Sequence, residues 1–162
     1  MNKAFLLLIL FAAPLLSAPL TLGQNKEESR TSNQDLALLK QDVQSERKQI
    51  VAANLQLTDA EAVKFWPIYD KYAADLSKVN DTRLGLVKEY ANAYPNVTDT
   101  LAQSLVEKWL QTDEGEAQLR ARYMSMLQKV LPGKKMARFF QIDRRLGILI
   151  NVQVTSQIPL VP

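Results

Sequence analysis

Residues 57–98 read LTDAEAVKFWPIYDKYAADLSKVNDTRLGLVKEYANAYPNVT, and the spacing of their apolar side chains decides the fold. Phe65, Tyr69, Tyr72, Leu76, Val79, Leu86, Tyr90 and Ala93 follow one another at alternating intervals of four and three, with Arg83 taking one place on the stripe. That period gathers them on one face of an α-helix and turns the charges to the other, the pattern of a helix that forms a seam. The helix opens at Leu57-Thr58-Asp59-Ala60-Glu61. There the Thr58 hydroxyl can accept from the backbone N–H of Glu61 while the Glu61 carboxylate reaches back to the N–H of Thr58, a capping box. A helix of ~36 residues is ~54 Å long. Pro67 lies inside it, where the missing N–H and the ring clash predict a bend. Tyr94-Pro95-Asn96-Val97 reads as a turn, and Thr98 or Asp99 caps the next helix.

Downstream, Ala102, Leu105, Trp109, Leu119, Tyr123, Met126 and Val130 continue the alternation, broken at Thr112 and Glu116. Folding the two helices back about Asn96 as an antiparallel hairpin sets Asn80-Asp81-Arg83 opposite Thr112-Asp113-Glu114-Glu116. The breaks therefore predict a polar layer at mid-hairpin containing Arg83, Asp113 and Glu116. A register-fixing salt bridge is the preferred account of it, and a ligand or hinge site the alternative. Gly115 lowers helix propensity there by about 1 kcal/mol and predicts a bend at the same level. Leu131-Pro132-Gly133 interrupts the chain again, and a fourth helix from Lys134 to near Asn151 carries Met136, Phe139, Phe140, Leu146 and Ile150 on one side. Upstream, Leu36, Val43 and Ile50, with Leu39 and Ala53 on adjoining rows, predict an amphipathic helix from Asp35 to near Asn54.

The expected fold is all-α, an elongated and bent antiparallel helical hairpin of about four helices over residues 35–151. The apolar tail 152–162 (VQVTSQIPLVP) is expected to lie extended against the bundle or a partner, since Pro159 and Pro162 interrupt it. Residues 24–34 (QNKEESRTSNQ) read as a flexible leader. Residues 1–23 read as a signal peptide: Lys3 precedes the apolar run from Ala4 to Leu16, which is too short for a membrane span. Cleavage before Gln24 would export the chain to the periplasm with no transmembrane segment left.

The chain has 162 residues, neither histidine nor cysteine, and 20 basic against 17 acidic residues. Disulfides, thiolate or imidazole metal sites, a cysteine nucleophile and a histidine-based triad are therefore excluded. No cofactor or metal is expected. Asp113, Glu114 and Glu116 could bind calcium weakly, but a solvated acidic turn accounts for them better. The near balance of charge gives no indication of nucleic acid, and Asn96-Val97-Thr98 needs only a helix cap to explain it.

Two helix-opening segments carry a family resemblance. Leu57-Thr58-Asp59-Ala60-Glu61 and Leu131-Pro132-Gly133-Lys134-Lys135 stand where the Spy/CpxP-like periplasmic proteins carry paired LTxxQ motifs. The first keeps Leu57 and Thr58 with Glu61 at the glutamine place; the second keeps Leu131, with Pro132 and Lys135 replacing threonine and glutamine. FWPIYDKY (65–72), KVLPGKKMARFFQIDRRL (129–146) and the final QIPLVP also resemble a group of small exported bacterial proteins. The resemblance, over about 35–162, implies an all-helical protein of envelope stress, often a homodimer whose bent hairpins form a cradle. Some relatives hold unfolded clients without ATP, others restrain a sensor kinase, and a metal-sensing branch uses histidines that this chain lacks.

A client-holding protein needs apolar surface flanked by charge. The candidate contacts are Phe65, Trp66, Tyr69, Tyr72, Met136, Phe139 and Phe140, with Lys134, Lys135 and Arg138 among the basic surround and Arg144 and Arg145 beyond. A hydrophobic core is the competing account of the aromatic stripe. Lys134 and Lys135 at a helix N-terminus call for an acidic partner, because the macrodipole disfavours cations there. The expected function is a non-enzymatic periplasmic factor that binds unfolded or envelope proteins. The alternative is an accessory or sensory subunit with one dedicated partner, docked through helix four and the tail. An enzyme, the third reading, would require a pocket with a perturbed group and loss of activity on mutating Arg83 or Glu116.

Overall fold

In the computed structural model, residues 43–156 and 158–161 are described. The proposed signal peptide, the leader, the start of the first helix and Pro162 lie outside them. The described residues hold helix α1 over 43–55, α2 (Asp59–Ala93), α3 (Asp99–Leu127) and α4 (Gly133–Thr155), with no strand among them. The all-α expectation is met.

The capping box forms as the sequence requires: Glu61 N–H donates to Thr58 Oγ1 at 3.3 Å and Thr58 N–H to Glu61 Oε2 at 2.8 Å. Thr98 caps α3 in the same manner through Leu101 N–H at 3.3 Å. Pro67 stays within an unbroken α2. The carbonyl deprived of its partner there belongs to Val63, an exposed residue, so water can satisfy it.

Side-chain pairs fix the packing. From Tyr72 with Tyr123, through Asp75 with Arg122 and Arg83 with Asp113, to Glu89 with Lys108, the α3 partner falls in number as the α2 residue rises, so these helices are antiparallel. Glu61 with Lys135, Phe65 with Phe139 and Tyr72 with Asp143 advance together, so α4 runs parallel to α2. The core lies where all four helices meet: Val51 and Leu55 of α1, Phe65, Tyr69, Tyr72 and Leu76 of α2, Leu119, Tyr123 and Leu127 of α3, then Leu131 and Phe139. Its aromatic rings meet mostly edge to face, with Phe139 at 5.4 Å from Phe65 and 6.0 Å from Tyr72.

Two expectations need correction. The first helix does not bury the row of Val43 and Ile50, nor Ala53 on the row beside it. Val43 and Ala53 are exposed and Ile50 half-buried, while Val51 and Leu55 are buried with Arg47 on their row. The apolar pattern misled because Arg47, a charge, belongs to the inward face. Residues 152–155 are not extended either; α4 continues through Thr155, since the first proline that could end it is Pro159.

Candidate functional site

Four of the proposed client contacts lie in the core. Phe65, Tyr69, Tyr72 and Phe139 are buried by the packing of α1, α3 and α4, and in this fold they offer no surface to a partner. Trp66 and Met136 are partly buried against the same core. Phe140, Lys134 and Arg138 face solvent, Arg138 within 3.4 Å of Gln56 Oε1. Lys135 is engaged: its Nζ donates to Glu61 Oε2 at 2.5 Å. The acidic partner that the α4 N-terminus required is thus the α2 cap, and Lys135 together with the Thr58 N–H holds the Glu61 carboxyl below its ordinary pKa. The motif residues converge, since Leu57 packs on the core, Leu131 belongs to it, and Pro132 accepts through its carbonyl from the Lys135 and Met136 amides at 2.9 and 3.0 Å.

The mid-hairpin polar layer is present and larger than the sequence suggested. Arg83 pairs with Asp113 at 2.5 Å and with Glu116, and Glu116 also receives Arg120 from one turn along α3. Arg120 Nε then donates to Asp143 Oδ2 at 3.0 Å, Arg47 donates to Asp143 Oδ1 at 2.5 Å, and the Tyr72 hydroxyl donates to Asp143 Oδ2 at 2.8 Å. Positive and negative groups alternate through Arg47, Asp143, Arg120, Glu116, Arg83 and Asp113, linking all four helices. Asp143 is 1% exposed. Burial by itself would lower the Arg120 pKa, but Asp143 and Glu116 hold it above its ordinary value. Burial, and then Asp143, raise that of Tyr72. The acidic groups considered for calcium are already occupied: Asp113 and Glu116 by arginines, Glu114 by the Gln118 amide at 3.0 Å.

Sequence reasoning missed Asp143, Arg47 and Arg120. A signal was present for the first: Asp143 stands one helical turn after Phe139 on the buried row, a place where a carboxylate requires partners.

At the other end of the hairpin, α2 and α3 reach beyond the core toward their turn. Between them and the tail segment 158–161 lies an apolar groove of about 290 Å³ whose helical walls include Leu86, Tyr90, Leu105 and Trp109. The tail supplies the remaining wall through Ile158, Pro159, Leu160 and Val161, with the Tyr90 hydroxyl donating to the Pro159 carbonyl at 2.9 Å. None of the lining residues is charged. Beside the groove, Lys108 and Glu89 pair with each other at 2.9 and 3.0 Å. Such a surface selects by shape and apolarity, not by charge. Set against known families, curated proteins and solved structures, the chain matches none of them.

Proposed function

We propose that this chain is an exported, non-enzymatic protein-binding factor that holds apolar segments of unfolded envelope proteins, as its resemblance to the Spy/CpxP group implies. The observation that supports this reading best is the uncharged groove that α2 and α3 form with a non-helical apolar segment, the tail, as one of its walls. Exposed Val106 and Leu110 on α3, 59% and 62% accessible, extend the apolar surface from the groove wall along the helix. Client binding takes over, in this reading, at the groove instead of at the Phe65 to Phe139 cluster.

The test is suppression of aggregation of two unrelated unfolding clients by the exported chain, without nucleotide, at low and high salt. Suppression of both, persisting at high salt and lost on Leu105→Asp, is the expected result, because apolar burial is not screened by ions. Suppression of neither client overturns the reading.

The dedicated-partner alternative has its own support. The exposed face of α4 carries Arg144 and Arg145 and then Ile148, Leu149 and Val152, which are 52%, 65% and 61% accessible. A single protein co-purifying with the chain and lost on Leu149→Asp would favour it.

A further inference from the structure

We infer that the C-terminal tail is an internal ligand of the α2–α3 groove, and that the groove takes uncharged, proline-containing apolar peptide segments in competition with it. The proposal rests on the client-binding reading for its biological use, but its physical content stands apart.

The occupant defines the chemistry of the site. The segment laid against α2 and α3 is Ile-Pro-Leu-Val, without a charge, and the helix residues that line the groove with it carry none either. Pro159 disfavours the helical conformation at Ile158 and cannot donate a backbone hydrogen bond, so the segment is held away from helix and presents its carbonyls. One of them, that of Pro159, is taken by the Tyr90 hydroxyl. A main-chain carbonyl is common to every peptide, so this contact fixes position without demanding sequence, while the apolar walls select composition.

The seat is also incomplete. Ile158 is half-buried, whereas Leu160 is 90% exposed and Val161 55%. A segment that buries more of its apolar side chains in the same groove gains over the tail. The tail has the advantage of its tether: Ile158 follows α4 closely, its N–H donating to the Thr155 carbonyl at 3.2 Å, so its effective concentration at the groove is high. The groove is thereby covered when no client is present and open to displacement when one is, which limits the apolar surface left exposed in the resting protein.

The experiment uses a fluorescent peptide of residues 156–162 (SQIPLVP) and three proteins purified after export: the full chain, a chain ending at Ser156, and the Tyr90→Phe variant of that shortened chain. A tail seated about 90% of the time reduces apparent peptide affinity about tenfold. Peptide anisotropy should therefore report about tenfold tighter binding to the shortened chain than to the full chain. Tyr90→Phe, which keeps the ring and removes the donor, should weaken binding of the peptide to a chain lacking the tail. Helical circular dichroism unchanged in each protein ensures that the fold is being compared with itself. Equal affinity for the full and shortened chains, or no binding to either, overturns the proposal. If the shortened chain unfolds, the full-length Leu105→Asp chain decides: release of the tail, read by faster proteolysis after Ser156, supports the proposal, and unchanged proteolysis overturns it. Tighter peptide binding without any gain in aggregation suppression would leave the internal ligand standing while removing the client-holding function.

Discussion

Tyr69 is buried at 2% exposure with a hydroxyl that has no hydrogen-bond partner among the described residues, in the middle of a cluster otherwise made of Phe65, Trp66 and Phe139. Burying an unpaired hydroxyl costs about 1–3 kcal/mol, so Tyr69→Phe should raise stability by about 1 kcal/mol, measured by urea unfolding at pH 7. The pH dependence follows from the same residue. Burial, opposed by Arg47 and assisted by Asp143 and Asp70, pushes its pKa from 10.0 up to about 12. A raised pKa means that the folded state favours the neutral phenol: the contribution is complete below pH 10 and is lost as pH rises through about 12. Unfolding curves at pH 7 and pH 11 should show the wild-type chain losing more stability than Tyr69→Phe. Equal losses would mean that other groups set the alkaline limit.

At the scale of single helices, the beginnings and the weak points are local. Thr58→Ala removes the α2 cap and should cost about 1 kcal/mol. Part of that effect involves Glu61, whose depressed pKa makes its contribution present above its ordinary value of 4.5 and lost as pH falls below it. The difference between Thr58→Ala and wild type should accordingly narrow in acid, which thermal melts at pH 7 and pH 3 would check. Gly115 offers the opposite case. It lies mid-helix in α3, and a Cβ built there meets nothing within 4 Å. Gly115→Ala should therefore stabilise the chain by about 1 kcal/mol through helix propensity alone. A loss of stability instead would show that glycine serves the polar layer beside it, where Asp113 and Glu116 hold Arg83.

At the scale of the whole described fold, Asp143 is the tie. It joins Arg47 of α1, Tyr72 of α2 and Arg120 of α3 to α4, and it is buried while doing so. Removing its charge leaves two partly buried arginines under-compensated, an arrangement that costs about 3–5 kcal/mol. Asp143→Asn should lower stability by about 3 kcal/mol, whereas exposed Arg144→Ala next to it should change it by less than about 0.5 kcal/mol. Denaturant titrations of the two variants make the comparison. If Asp143→Asn proved neutral, the alternating charges would be fixing register without contributing net stability.

The residues themselves determined the helices. A stripe such as Phe65, Tyr69, Tyr72 and Leu76 can be buried only by a helix, and Thr58 with Glu61 can satisfy the orphan amides at its start without help from elsewhere, so period and cap were legible before any contact was known. The mid-hairpin layer was legible as well, because polar residues interrupting a buried stripe require one another. Whether the aromatic stripe was core or binding surface was not, since both look alike in one dimension; the packing of α1 and α4 over Phe65, Tyr69, Tyr72 and Phe139 decided it. Periodicity treats Arg47, like every charge, as exposed, and only Asp143, 96 positions away in the chain, compensates its partial burial. The groove belongs to the same class. Leu86, Tyr90, Leu105 and Trp109 were visible as stripe residues, but it is the antiparallel register of α2 and α3, with the tail laid along them, that turns a stripe into a site.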